Sequence, residues 1–404
     1  MTTRPAPLTP GVFADLLPAM LADLAELVGC ETPSADRAAF ARGAALVARQ
    51  GARALGADPE VLVREGCTHL RWRLGGGPRR VLVLCHQDTV WPVGTLTAIP
   101  WSVVDGVVRG PGCLDMKGGI VLGLTALAQL RAAGTDLDGV TVLVTGDEEV
   151  GSPTSADLIR EEARGCAAVL VLEAGADDGG LKTGRKGASM YELLVTGRAA
   201  HAGLEPEKGI SATLELAHQV GAIAALADPG QGTTVTPTAL VSGTTTNTVP
   251  ASGRLSVDVR ALTAAEQQRV DAGMRALTPH LPGAVLELRG GVNRPPLEVA
   301  SSAGLFALAQ QVSARLGLPA PEAVTVGGAS DGNFTAGIGV PTLDGLGAVG
   351  GGAHAAGEHV RTTELPGRAA LVAGLVRAVL AAAPGTHGRD VGGLGLPDEG
   401  TGGG

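Results

Sequence analysis

Apolar positions mark out the first elements of the chain. Over residues 12–29 they fall at Leu16, Leu17, Met20, Leu21, Leu24, Leu27 and Val28, a spacing that predicts a helix. A second helix is predicted from a capping serine, Ser34, to about Leu55. Three later runs are apolar without strict alternation: VLVLC at 81–85, VTVLVT at 140–145 and AVLVL at 168–172. Such runs suit strands buried on both faces, as in a parallel sheet. A helical run at 117–133 lies between the first two, directly after a turn rich in Gly and Asp. Strands alternating with helices predict an α/β domain with a mostly parallel central sheet flanked by helices.

The middle of the chain has another rhythm. Strands are predicted at 189–196, 234–242, 253–261 and 284–289, with helices at 210–227 and 263–278. This β-α-β-β-α-β order is that of the ferredoxin-like split βαβ unit. A Pro- and Gly-rich junction, Gly290 to Pro296, follows. Helical patterns at 302–316 and 365–382 then return to the first style, around a Gly-rich stretch at 327–352. The expected organisation is a discontinuous catalytic domain (1–187 and 294–383) interrupted by an α+β lid and dimerisation domain (188–293). A disordered, Gly-dominated tail is predicted over 384–404.

Composition narrows the function. At 404 residues, with 45% hydrophobic and 18% charged, the chain can build a large core. Aromatics are only 2%, too few for a platform that stacks bases. The net charge is −9 and no basic block occurs, which excludes nucleic-acid backbones and anionic membrane surfaces as expected partners. The five cysteines are scattered and form no CxxC, so neither a disulfide framework nor a thiolate zinc site is expected. No leader pattern and no uninterrupted apolar run of about 20 residues is read, so a cytoplasmic protein is the expectation.

Ligands of parallel sheets bind at the carboxyl edge, where loops leave the strands. The first buried strand ends in His86-Gln87-Asp88, the second in Asp147-Glu148-Glu149 and the third in Glu173. The turn Gly110–Gly119 carries Asp115, and the late Gly-rich loop carries His354. Singly, each of these is more often a cap, a turn former or a solvated side chain. Together they are O and N donors converging on one rim, and adjacent carboxylates repel unless a cation or proton sits between them. The donor set suits Zn²⁺, or alternatively Mn²⁺ or Co²⁺. It exceeds what one tetrahedral ion needs, and two ions about 3.5–4 Å apart would use it all.

The stretches VLVLCHQDTV, GPGCLDMKGG, GDEEVGS and GRAAHAG resemble the dinuclear-zinc aminoacylase and carboxypeptidase family over about residues 12–382. HQDTV and LDGLGAVGGGAH are most similar to its glutamate carboxypeptidase branch. The resemblance implies two Zn²⁺ (Co²⁺ or Mn²⁺ as alternatives), with His86 on one, His354 on the other and Asp115 bridging through a turn with a cis peptide to Met116. Glu149 and Glu173 would complete one site each, Asp88 would orient His86, and Glu148 would be the general base. It further implies that His201 stabilises the oxyanion of a neighbouring subunit's site. Asn247 would contact substrate, Arg260 would clamp its carboxylate, and Gly328, Ala329 and Ser330 would line the pocket with backbone amides. For Arg260 a partly exposed strand arginine is the alternative. The expected activity is cleavage of an amide bond next to a free carboxylate in a small peptide or N-acyl amino acid. An aminoacylase and, more remotely, a non-catalytic binding protein are the alternatives. A homodimer through the lid is the expected assembly.

Overall fold

The computed structural model describes residues 8–382, so the tail predicted at 384–404 lies outside the described residues. The chain divides into two compact units. One holds the described residues up to Gly184, Val299–Thr325 and those from Ser330 onward. The other holds Arg185–Glu298 and Val326–Ala329.

The first unit is built on a six-stranded sheet in the order Glu60–Arg64, Cys67–Leu74, Val140–Thr145, Val81–His86, Ala168–Val171, Thr342–Leu343. Val81–His86 runs parallel to both of its neighbours, and Thr342–Leu343 runs parallel to Ala168–Val171. Every residue of Val81–His86 and Val140–Thr145 is buried, which is why these strands are apolar on both faces. The hairpin Glu60–Arg64/Cys67–Leu74 adds an antiparallel edge that the apolar runs did not announce.

Register decides what meets at the carboxyl edge. Cys85 pairs with Val144, His86 with Thr145, and Leu84 with Val171. His86, Asp147 and Glu173 therefore leave neighbouring strands at nearly the same level. The helix Gly118–Ala132 starts against that edge. A Cβ on Gly119 would stand 2.0 Å from the Leu172 carbonyl oxygen, so the absence of a side chain lets the Asp115 turn approach Glu173.

Gly118–Ala132 and Leu365–Ala381 pack against each other and are apolar nearly all round, as core helices are. Cys113–Ala132 is long and apolar enough to cross a membrane, yet most of it is buried inside the unit. The second helix begins at Arg37, not after Ser34. Asp36 is its cap and accepts from the amides of Ala38 and Ala39, while the Ser34 hydroxyl donates to Asp88 at 2.7 Å.

The second unit is an antiparallel sheet in the order Thr234–Ser242, Ser252–Ala261, Gly187–Thr196, Val285–Arg294. With helices Ala212–Ala224 and Ala264–Arg275 in their chain positions, it is the split βαβ arrangement. Its core joins Leu193, Val195, Leu216, Ile223, Val257 and Val270.

Candidate metal centre and active site

Two imidazole–carboxylate groups share one aspartate at the carboxyl edge of the first unit. His86 is buried, and its Nε2 lies 3.2 Å from Asp115 Oδ1 and 3.3 Å from Glu173 Oε1. His354 Nε2 lies 3.3 Å from Asp115 Oδ2 and 3.1 Å from Glu149 Oε2. A carboxylate oxygen of Glu148 lies within 4.8 Å of donors from His86 and Glu173. Each oxygen of Asp115 thus faces a different histidine. Residues from five separate chain segments converge here, and all belong to one unit.

The supports are local. The peptide between Asp115 and Met116 is cis. His86 Nδ1 is 3.0 Å from the Asp88 carbonyl oxygen and 3.4 Å from Asp88 Oδ1. Asp88 is fully buried, and its carboxylate accepts from the amides of Glu148 and Glu149 at 3.2 and 3.1 Å. It therefore ties the histidine strand to the turn that presents both glutamates. His354 sits at φ +62°, a left-handed conformation unusual for a residue with a side chain.

One support escaped the sequence reading. Glu358 is buried and accepts from the amides of Gly112, Leu114 and Asp115 and from the Trp91 indole. It holds the Asp115 turn from four residues beyond His354. A lone acid in a Gly-rich stretch carries no periodic signal, and only its closeness to His354 in sequence hinted at a role. Asp331 is a second case. It accepts from Thr145 at 2.9 Å and from Ser152, bracing the strand end and the turn after Glu149.

The residues fit a pair of divalent cations. With metal–ligand bonds of about 2.0–2.2 Å, neighbouring donors of a tetrahedral ion stand about 3.3–3.5 Å apart, close to the separations here. Glu149 Oε1 is buried without a hydrogen-bond partner. Among the described residues, the ion-pair partners of Asp115 and Glu149 are the two imidazoles alone. An imidazole is neutral when it ligates, so the charge must then come from elsewhere. Without metal, the carboxylates hold protons on the rings. Asp115 and Glu149 raise His354 to about 10. Burial works against a charge on His86, but Asp115, Asp88 and Glu173 outweigh it and hold the ring well above its usual range. Burial likewise opposes ionisation of Asp115, yet the two rings keep it well below the usual carboxylate range. For Glu149 burial prevails and the carboxyl is raised.

The other expected site residues lie in the second unit, apart from Ser330. His201 is exposed, and its Nδ1 accepts from the amides of Gly203 and Leu204, both at 3.1 Å. Its Nε2 is therefore the protonated nitrogen, a neutral donor. Asn247 is exposed and its backbone carbonyl accepts from Ala202, which lays its loop along the His201 segment. Arg260 already grips Asp258 with a two-pronged pair at 2.9 and 2.8 Å. The Gly328 carbonyl accepts from Arg185, and Ala329 is the last residue of this unit. Ser330 is buried, with its amide donating to Asn333 Oδ1 at 2.9 Å and its hydroxyl to Asp344.

Similarity to known proteins identifies the family. Residues 82–378 match peptidase family M20/M25/M40. The chain is 31% identical to carboxypeptidase G2 of Pseudomonas sp. strain RS-16 over 315 residues, 75% of this chain and 74% of that protein. It is 28% identical to a succinyl-diaminopimelate desuccinylase of Xanthomonas euvesicatoria over 343 residues, 78% of this chain and 90% of the relative. In fold it resembles aminopeptidase PepT of Bacillus cereus, with a TM-score of 0.69, 21% identity and coverage of 90% and 99% of the two chains. The chain belongs to peptidase family M20/M25/M40 and is a metal-dependent hydrolase of the peptidase and amidohydrolase type.

Proposed function

We propose that the chain is a dinuclear zinc hydrolase that cleaves an amide bond next to a free carboxylate, as a glutamate-carboxypeptidase-like enzyme. The observation that carries this reading is Asp115, whose two oxygens each face a different histidine–glutamate pair. His86, Asp115 and Glu173 would hold one ion; His354, Asp115 and Glu149 would hold the other, with Co²⁺ or Mn²⁺ as substitutes. The chemistry a bound pair of cations supplies is polarisation of the scissile carbonyl and greater acidity of the attacking water.

The remaining work falls to side chains. Glu148 stands beside a ligating glutamate and takes the proton of the attacking water, then returns it to the leaving amine. Asp88 keeps His86 and the Glu148–Glu149 turn in register. His201, protonated on Nε2, has the tautomer needed to donate to a developing oxyanion. In this reading it does so for a second copy joined through the lid unit. Asn247 contacts the substrate, and the backbone of Gly328, Ala329 and Ser330 borders it. Arg260 takes the substrate carboxylate by exchanging it for Asp258, since a guanidinium fork receives either carboxylate in the same geometry. A cytoplasmic location completes the proposal.

The test is hydrolysis of dipeptides and N-acyl amino acids, varied at the C-terminal residue, by the zinc-loaded protein. Activity confined to acidic C-terminal residues is expected. Broad activity on N-acetyl or N-succinyl amino acids would replace this reading with a deacylase, the reading that the desuccinylase relatives favour. Mixed dimers of His201→Ala with Glu148→Gln should regain activity, because one composite site is then intact. Dimers that form without regaining it would defeat the shared site.

A further inference from the structure

Sheet edges in this chain are guarded unequally. An open edge invites another strand to add on, and short length, proline or a bulge normally prevents it. In the first unit, the edge strand Thr342–Leu343 is only two residues long, and both are buried. In the second unit, the edge strand Thr234–Ser242 carries Pro237 and a register shift beside it. Glu60–Arg64, the other edge of the six-stranded sheet, has none of these guards. It keeps an unbroken register with Cys67–Leu74, and Val61 and Val63 stand on one face, 56% and 64% exposed.

The turn fixes which backbone groups face outward. Strands Glu60–Arg64 and Cys67–Leu74 are joined by two residues, Glu65 and Gly66, both at positive φ, as in a type I′ hairpin. Arg64 and Cys67 then exchange both backbone hydrogen bonds across the turn. Antiparallel pairs alternate, so Leu62 with His69 and Glu60 with Arg71 are bonded likewise. The N–H and C=O groups of Val61 and Val63 therefore point to the open side. Pro59, at the next outward position, has no N–H and ends the open stretch. Glu60 accepts from Arg71 through Oε2, while its Oε1 takes no part in that pair. Arg64 has no ion-pair partner among the described residues.

We propose that this edge pairs with the same edge of a second copy, antiparallel about a twofold axis at Leu62. A twofold contact must be self-complementary. Glu60-Val61-Leu62-Val63-Arg64 meets that condition when one copy is reversed against the other. Glu60 then faces the partner's Arg64 at both ends, Val61 faces the partner's Val63, and Leu62 faces the partner's Leu62. The open groups coincide with this charge match. Val61 and the partner's Val63 exchange both of their hydrogen bonds, as do Val63 and the partner's Val61, while the charged pairs fall at non-hydrogen-bonded positions where side chains are closer. The register is also unique. A slide of one residue sets outward groups against inward ones. A slide of two sets Val63 against the partner's Pro59, or Val61 against the partner's Glu65 in the turn. Glu60 Oε1 receives the partner's Arg64 without surrendering Arg71, and the exposed valines of both copies meet on one face. The contact lies wholly within the first unit and is independent of the assembly proposed through the lid.

A charge exchange on the full chain tests this, read as mass against concentration by analytical ultracentrifugation. Glu60→Arg alone, or Arg64→Glu alone, sets like charges opposite each other at both ends of the strand pair. Self-association through the edge should weaken by about tenfold or more in each. Mixed one to one, the two variants again set opposite charges at both ends, and the association should return. A folding defect in either variant does not produce that recovery. Association through the lid alone gives the same mass for the unaltered chain, each variant and the mixture, and that result would overturn the proposal. So would binding of an unrelated strand at this edge without self-association. Should a charge variant fail to fold, Leu62→Cys replaces it. The two central positions of a non-hydrogen-bonded pair lie about 4.5 Å apart between Cα atoms, within disulfide reach. Mild oxidation should give a linked dimer whose bridge maps to position 62 in both copies, and a chain that stays unlinked there would refute the pairing.

Discussion

Glu162 and Glu149 are both withdrawn from solvent in the same unit, with side chains 0% and 6% exposed. Around Glu162 stand three arginines: Arg71 at 2.7 Å, Arg73 at 2.6 Å and Arg79 at 3.6 Å. Around Glu149 stands one imidazole, and one of its oxygens is left without a partner. The chain is therefore able to surround a buried acid with its own cations, and at Glu162 it does. At the sheet's carboxyl edge the ion-pair partners of Asp115 and Glu149, among the described residues, are two rings that are neutral when they ligate. A lock closes itself; a binding site leaves its charge to be supplied from outside.

The comparison can be broken most sharply at Glu148. Glu148→Gln should lower kcat by about 10²–10⁴-fold while metal content stays unchanged, as expected of a proton carrier that is not a ligand. Turnover and metal analysis on the same sample decide it, and parallel loss of metal would move Glu148 into the ligand set. Next in size is Glu358→Gln, which weakens the hold on the Asp115 turn. Metal affinity should fall about 10–100-fold, with the fold intact by circular dichroism.

At the self-neutralised cluster the expected loss is stability and not chemistry. Glu162→Gln leaves Arg71, Arg73 and Arg79 facing one another. Breaking a fully buried pair costs about 3–5 kcal/mol, and the solvent reached by Arg73 and Arg79 reduces this to about 2 kcal/mol. Urea unfolding measures it, with activity per folded molecule unchanged.

The smallest effect is the most diagnostic, because the two clusters respond to pH with opposite sign. Despite its burial, Glu162 is held below its ordinary value near 4.5 by the arginines. Its stabilisation is complete above that pH and is lost as pH falls below it. In metal-stripped protein His354 is raised from 6.5 to about 10, so its stabilisation is complete below pH 6.5 and is lost as pH rises through about 10. Unfolding midpoints across pH should show both slopes. Glu162→Gln should remove the acid one and metal loading the alkaline one, since ligating rings carry no extra proton.

What the sequence discloses follows from how each feature is encoded. Strands buried on both faces are apolar throughout, so VLVLC and VTVLVT stand out and their last residues point to His86 and Glu149. The strand Cys67–Leu74 is half-buried and keeps Arg71 and Arg73 for Glu162, which dilutes its apolar signal. Ser34 resembles a cap as closely as Asp36 does. The choice is made by Asp88, more than fifty residues away, which takes the serine hydroxyl. Glu358 is hidden for the same reason: its partners at 112–115 lie about 245 positions earlier. Pairings of that range have no local pattern.

Glu358 also sets an order of events. While the polypeptide emerges from the ribosome, the Gly112–Asp115 turn is made long before the acid that satisfies its amides, and His354 arrives only just ahead of that acid. A nascent or truncated product ending near residue 340 can possess the whole parallel sheet core up to Val171 and still lack both the brace and the second histidine. Completion of the proposed metal-binding edge is therefore a late step in biosynthesis, and premature termination yields a scaffold without the proposed centre.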